Sequence, residues 1–399
     1  MAQPFQFNRM ELAGSLGDLG ALLPLTIGMI MVNGMSITGT FYSIALFYII
    51  GGAYYRVPIP VQPMKVIAAY AIATGMTSSQ ISAASGLVCI FLLVIGLTGA
   101  IDVISRFISK AVIRGVQLST GILLMSQGLK LIMGNSTLQL AANIAEPNLT
   151  LQAIGPVPIG LILGILSTAI ILFFLKSKTY PAAIFVILLG LLTGLIWGTH
   201  ADFNLIKPGF YLPALLPFGT PEVADLTVAL FVVVLPQLPM TVGNAVIAST
   251  DLSKEYFGDD AKKVTYKAST LSMGLANGLS FLFGGIPLCH GAGGLAAHYN
   301  FGARTGGSNM IIGGIFLLLA FFFGPHILPI IKLLPLSVLG ILLVFAGMYL
   351  GLTILDMFAR KDMFIVLLIL GITLTANLAW AVLVGIILSQ ILKSDKFSI

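Results

Sequence analysis

Arg56-Val57-Pro58-Ile59-Pro60-Val61-Gln62-Pro63-Met64-Lys65 is the stretch on which the fold turns. Three prolines alternate with β-branched and polar residues, a pattern that no helix interior tolerates. The natural conformation is a short extended strand, with Pro63 pre-set for the first turn of a following helix. That helix, residues 64–75, is about 18 Å long at 1.5 Å per residue. It crosses only about half of a ~30 Å hydrocarbon core. A second stretch has the same design: Gly284-Gly285-Ile286-Pro287-Leu288-Cys289-His290-Gly291-Ala292-Gly293-Gly294-Leu295 enters a short helix over 290–300. Broken backbone facing lipid leaves polar groups unpaired, so both stretches must be buried in protein or line a cavity.

The rest of the chain makes the membrane setting certain. Of 399 residues, 58% are hydrophobic and 9% charged, where a soluble domain carries about 25% charged residues. Cys89 and Cys289 both sit in apolar context, which disfavours a disulfide, and no metal-ligand spacing occurs. Nothing in the sequence calls for a cofactor, a nucleic-acid partner or an enzyme active site. Residues 1–8 are too short and too weakly charged for a cleaved leader. Hydropathy gives spans at residues 10–33, 37–55, a short 64–76, 80–101, 111–133, 156–175, 179–198, 222–249, 264–283, a short 290–300, 307–325, 333–354, 362–376 and 377–392. This is an all-α integral membrane fold of fourteen spans, two of them half-helices preceded by strands.

With the N-terminus in the cytoplasm, fifteen lysines and arginines fall on cytoplasmic segments, Lys176, Lys178 and Lys396 among them. Only Lys130, Lys207 and Lys332 fall outside. That asymmetry fits the positive-inside rule and puts both termini in the cytoplasm of a multi-pass cell-membrane protein. The halves also echo each other. Leu23-Pro24-Leu25-Thr26-Ile27-Gly28 reads like Leu238-Pro239-Met240-Thr241-Val242-Gly243, and Gly121-Ile122-Leu123-Leu124 with Gly128 reads like Gly340-Ile341-Leu342-Leu343 with Gly347. Seven spans per copy reverse the second copy in the membrane, which is the inverted repeat of many transporters.

In such a repeat the two half-helices meet amino end to amino end. Each offers unpaired N–H groups and about half a positive charge, a natural place for an anion. The expected binding residues are Gln62, Pro63, Met64, Lys65, His290, Gly291, Ala292 and Gly293, with Gln237, Thr241 and Asn244 opposite on the eighth span. Lys65 near mid-depth costs roughly 2.5–3.5 kcal/mol if unpaired, which favours a substrate role over snorkelling. Asp18, within Gly17-Asp18-Leu19-Gly20, is either a proton carrier or a hydrogen-bond hub; His290 is a second proton candidate because imidazole titrates in the physiological range. His298 reads as packing, and His200 and His326 carry no signal. Glu11 and Asp225 read as interfacial, Arg56 as an anchor at the cytoplasmic mouth or a gating residue, and residues 251–267 as a solvated cytoplasmic loop.

Pro60-Val61-Gln62-Pro63-Met64-Lys65-Val66-Ile67-Ala68-Ala69 resembles the first signature of the molybdate transporter family. Residues Pro287 to Tyr299, followed by Phe301-Gly302-Ala303-Arg304-Thr305-Gly306, resemble its second. The resemblance spans nearly the whole chain and implies a branch of the SulP sulfate-permease superfamily, with a core domain and a gate domain. The first repeat would divide into core 1–110 and gate 111–200, the second into core 201–325 and gate 326–399. The cytosolic STAS domain of sulfate permeases is expected to be absent. The resemblance implies import of a tetrahedral oxyanion, molybdate or sulfate, and a homodimer. Movement of the core against the gate would give alternating access. The cost of moving a dianion into a negative cytoplasm, about 4.6 kcal/mol at 100 mV, calls for a coupling ion, protons in the first place. An anion channel and a nucleobase permease of the same architecture stay open as alternatives.

Overall fold

The computed structural model describes residues 4–174, 177, 182–199 and 206–393. Lys176, Lys178, Lys396, His200 and the start of the expected 179–198 span lie outside the described residues. The first half runs α1 (Arg9–Ser15), α2 (Leu19–Asn33), α3 (Ile37–Tyr55), β1 (Gln62–Pro63), α4 (Lys65–Thr74), α5 (Ser78–Thr98), α6 (Ile101–Phe107), α7 (Lys110–Ile132), α8 (Thr137–Ala142), the hairpin β2 (Ala153–Ile154) and β3 (Val157–Pro158), α9 (Ile159–Phe174) and α10 (Ala182–Trp197). The second half runs α11 (Val223–Val228), α12 (Leu235–Met240), α13 (Ser249–Phe257), α14 (Tyr266–Phe283), β4 (Leu288–Cys289), α15 (Ala292–Asn300), α16 (Gly307–Phe323), α17 (Leu328–Lys332), α18 (Leu336–Leu352), α19 (Arg360–Thr375) and α20 (Leu378–Ile391). Among the described residues, six helices are long and apolar enough to cross a membrane, or seven if the bent α1–α2 pair is one span. Four shorter apolar helices, α4, α9, α10 and α20, accompany them.

The two Pro-rich stretches form the centre. β1 and β4 pair antiparallel, Gln62 opposite Cys289 and Pro63 opposite Leu288, and Met64 N–H donates to Pro287 C=O at 2.9 Å. Two asparagines complete this pairing where strands are missing. Asn277 accepts from Leu288 N–H (3.1 Å) and donates to its C=O (2.7 Å). Asn309 does the same for Ile59, at 3.1 and 2.7 Å. Both asparagines are fully buried, so each acts as a strand neighbour for backbone that lipid could not satisfy.

Three acids tie helices together. Glu11, the third residue of α1, accepts from the N–H groups of Arg304, Thr305 and Ser308 at the start of α16. Asp225, the third residue of α11, accepts from the Ser79 hydroxyl in the first turn of α5. Glu146 accepts from Leu336 and Ser337 N–H, at 2.9 and 2.8 Å, at the start of α18. α7 and α18 cross through four glycines: a Cβ on Gly121 would meet the Gly347 carbonyl, and one on Gly128 the Gly340 carbonyl. That close approach is what the repeated Gly-x6-Gly spacing serves.

Three expectations are corrected. Residues 10–33 are not one straight helix; α1 and α2 meet at a 41° bend. Glu11 is not interfacial: it is 1% exposed, because the helix-start donors of α16 draw its carboxylate inward. The stretch 251–267 is not a loop throughout; its first part continues the eighth helix as α13. That helix is also irregular, with π turns over Ala229–Val234 and Thr241–Ala248 on either side of α12. Pro236 and Pro239 lack the N–H a regular ladder needs, and wider turns take up the defect.

Candidate functional site

A cavity of about 700 Å³ lies between the crossed strands and the α7–α18 pair. Its wall from the broken-helix side holds Asp18, Gln62, Lys65, Asn244, Ala292 and Gly293. Its opposite wall holds Arg114, Gln117 and Leu124 of α7, Phe174, and Leu342, Phe345, Tyr349 and Thr353 at α18 and just beyond it. The cavity is mainly apolar with a few convergent polar groups, the usual make-up of a small-solute site.

The two helix starts on this cavity differ. At α15, Gly291 is the cap residue and contributes no side-chain hydrogen bond. The first bond back into α15 is Leu295 N–H to Gly291 C=O, so the N–H groups of Ala292, Gly293 and Gly294 have no helical acceptor. A Cβ on Gly293 would meet nothing within 4 Å, so this backbone faces open space. At α4, Val66 N–H is already bonded to Gln237 Oε1 at 3.0 Å. What α4 offers the cavity is the half-buried Lys65 side chain, which has no hydrogen bond or ion pair among the described residues. Asn244 is half-buried beside Gly291 and equally unengaged.

Asp18 is 3% exposed and Gln62 1%. Gln62 Nε2 donates to Asp18 Oδ1 at 2.6 Å, while Asp18 Oδ2 and Gln62 Oε1 have no partner. On the other wall, Arg114 reaches Asp356 through two nitrogens and Gln117 at 2.8 Å through a third. Lys110 joins the same carboxylate at 2.9 Å, and the Thr353 hydroxyl donates to Gln117 Oε1 at 2.9 Å.

Six of the expected residues thus meet on one cavity: Asp18, Gln62, Lys65, Asn244, Ala292 and Gly293. Gly291 supports them from the α15 cap. Pro63 and Met64 are buried in the strand crossing. Gln237 faces α4 instead, accepting from Val66 N–H, and its Nε2 donates to Thr241 at 3.1 Å. His290 does not line the cavity. One of its ring nitrogens bonds the Ser272 hydroxyl and the other the Pro60 carbonyl, both at 2.9 Å, and its ring lies 4.7 Å from that of Phe47. His298 bonds the Gly14 carbonyl at 2.8 Å. The residues that sequence reasoning missed are those of α7 and α18. Their signal was a polar and small stripe at helical spacing, Arg114, Gln117 and Gly121, on an otherwise apolar span.

A bundle of apolar helices around two broken ones, enclosing a polar-tipped cavity, is the architecture of a transmembrane transport protein. The fold is that of solved anion carriers. It matches the transmembrane domain of a cyanobacterial bicarbonate transporter, BicA, with a TM-score of 0.68 at 17% identity, covering 97% of this chain and 98% of that one. It matches SLC26A9 with a TM-score of 0.67 at 15% identity, covering 96% of this chain and 65% of that one. In sequence, the family model described as "Molybdate transporter of MFS superfamily" matches residues 10–124 and 229–350. Molybdate transporter 2 of Arabidopsis thaliana is 30% identical over 92% of this chain and 84% of its own length. Molybdate transporter 1 of Chlamydomonas reinhardtii is 30% identical over 87% and 84%. The chain belongs to the molybdate transporter family, and it is a transport protein and not an enzyme.

Proposed function

We propose that this chain imports a tetrahedral oxyanion, molybdate in the first place and sulfate in the second, by alternating access. One observation carries the reading: the uncapped start of α15 and the unengaged Lys65 border a single cavity. An oxyanion there accepts from the Ala292–Gly294 backbone, from Lys65 and from Asn244. The α4 backbone contributes less than its counterpart, since Gln237 occupies Val66.

The moving parts are a core of residues 1–110 and 201–325 and a gate of residues 111–200 and 326–399, arranged as fourteen spans in two inverted copies. Three correspondences favour this arrangement. Glu11 stands to α16 as Asp225 stands to α5. Asn277 and Tyr48, each on the helix before a broken stretch, bond Leu288 and Val61 respectively. Gly121 meets Gly347 and Gly128 meets Gly340, the exchange a two-fold axis in the membrane plane requires. With the termini in the cytoplasm of a cell-membrane protein, Arg114, Phe174, Phe301 and Thr353 stand at cytoplasmic helix ends. All four line the cavity, which favours an inward-open state. The superfamily resemblance favours a homodimer.

Moving a dianion into a negative cytoplasm costs about 4.6 kcal/mol per 100 mV. Proton symport offsets this, with Asp18 as the carrier; His290, whose two ring nitrogens are both engaged away from the cavity, is the weaker candidate. A nucleobase permease is disfavoured because the eighth helix brings Asn244, and no carboxylate, to the cavity. Labelled molybdate uptake into proteoliposomes tests the reading. Excess tungstate and sulfate should suppress uptake, uracil should not, and an inward proton gradient should accelerate it. Competition by uracil alone, or ohmic single-channel currents, would replace the carrier of oxyanions with one of the rival functions.

A further inference from the structure

Gln62 and Asp18 lie against the glycine face of α15. A Cβ on Gly291 would collide with Gln62 Oε1, and one on Gly294 with Asp18 Oδ2 and Gln62 Nε2. The amide therefore has a definite sense. Its Nε2 points at the Asp18 carboxylate, 2.6 Å from Oδ1, and its unpartnered Oε1 rests against Gly291, the cap residue of α15. That sense is wrong for an anion. It sets an acceptor against the cap residue of α15, at the helix start where an oxyanion needs donors, and it commits Nε2 to the Asp18 carboxylate.

The carboxylate enforces it. An ionised Asp18 only accepts hydrogen bonds, so it must be met by the Nε2 end of the amide. A protonated Asp18 carries one O–H donor, for which Gln62 Oε1 is the complementary partner. The terminal torsion of glutamine is broad and roughly two-fold, so a half-turn of the amide exchanges the two ends without moving the backbone. After the half-turn, Nε2 and its protons lie where Oε1 lay, against Gly291 at the cap of α15.

We propose that Gln62 is a proton-linked switch in the anion site: protonation of Asp18 reverses the Gln62 amide, so that N–H donors replace a carbonyl oxygen beside the oxyanion. The proposal rests on the oxyanion-transport reading and adds to it the part that couples proton and anion. One proton is taken up by Asp18 Oδ2 as the anion binds and leaves when the anion leaves; no covalent bond to the anion forms or breaks. Lys65 on α4 acts on Asp18 electrostatically, and the Asp18 charge in turn is felt by Tyr48 on α3 and Cys289 on β4. His298, with its Nε2 unpartnered, stands one turn beyond Gly294 on α15. Among the described residues only Gln62 hydrogen-bonds the Asp18 carboxylate, so removing the amide separates its contribution from theirs.

Calorimetric titration of the purified full-length protein in lipid nanodiscs with molybdate, across roughly pH 5 to 8, tests this. Wild-type affinity should weaken by about tenfold per pH unit above the Asp18 transition, as linkage of one proton to one anion requires. Gln62→Met, of similar volume and without an amide, should still bind, more weakly, and with no pH slope. Gln62→Asn, too short to span carboxyl and cavity, should give the same flat profile and serves if Gln62→Met does not fold. Asp18→Asn, which carries no titratable proton and can donate toward Oε1, should bind with no pH slope. A Gln62→Met or Gln62→Asn protein that keeps the wild-type slope overturns the switch and leaves direct charge repulsion by Asp18. A wild type that binds molybdate with no slope also overturns it, with the transport reading intact. A folded wild type that binds no molybdate at any pH removes both.

Discussion

At α4, strand Gln62–Pro63 leads into a helix whose Val66 N–H is closed off by Gln237 and whose first residue sends a lysine into the cavity. At α15, strand Leu288–Cys289 leads into a helix with no side-chain cap and a glycine that leaves its backbone open. Strand pairing, helix direction and asparagine clamping are shared between the two, but the chemistry is divided. One end supplies a mobile charge and the other fixed dipoles. A copied scaffold can thus hold a lopsided site, and only the residues at each helix start reveal which half does what.

Substitutions at the two starts test this division. The largest effect is expected from Gly293→Val. Its side chain would project into open space, so the protein should fold while molybdate uptake falls by more than about a hundredfold, because the anion's place at the N–H groups is filled. Lys65→Ala should lower uptake by about a hundredfold with an unchanged unfolding temperature, and Lys65→Arg should recover part of it. Equal losses from both substitutions would fit the division of labour; normal uptake in Lys65→Ala would remove α4 from the site.

Gln237→Leu comes next. It strips the cap from Val66, which should cost about 1 kcal/mol of stability and change uptake only a few-fold, measurable as a lowered unfolding temperature beside near-normal transport. A loss as deep as that of Lys65→Ala would mean that Gln237 touches the anion after all.

The smallest effect lies away from both starts. Burial holds the Glu146 carboxyl above its usual range, against the opposing pull of its donors at Ser337 and Leu336. The folded state therefore binds that proton more tightly than the unfolded chain does. Its contribution to stability is full below the unfolded carboxyl range and is lost as pH rises through the raised one. Glu146→Gln should flatten that part of the stability profile in thermal unfolding across pH, with uptake unchanged.

Breaks in helicity were legible in the sequence because proline and glycine act locally. Pro58, Pro60, Pro63 and Pro287 announce extended backbone wherever the chain goes. Lys65, Ala292 and Gly293 followed from those breaks alone, and Asp18 and Asn244 from their depth in a span. Depth gives no rotation about the helix axis, however. Gln237, Thr241 and Asn244 share a level on the eighth helix, yet the π turn over Thr241–Ala248 shifts the helical phase between them. Asn244 faces the cavity while Gln237 reaches α4 and Thr241 bonds Gln237. His290 failed for a related reason: the strand crossing turns it toward Ser272 and Phe47, which no local pattern announces. Glu11 needed a partner nearly three hundred positions away, at Arg304 to Ser308, to explain its burial.

Because molybdenum scatters anomalously, the location of the bound anion is directly measurable in crystals of the molybdate-soaked protein. One peak is expected, within hydrogen-bond reach of the Ala292 and Gly293 N–H groups and of Lys65 Nζ. A peak elsewhere, with the start of α15 bare at saturating molybdate, would contradict it.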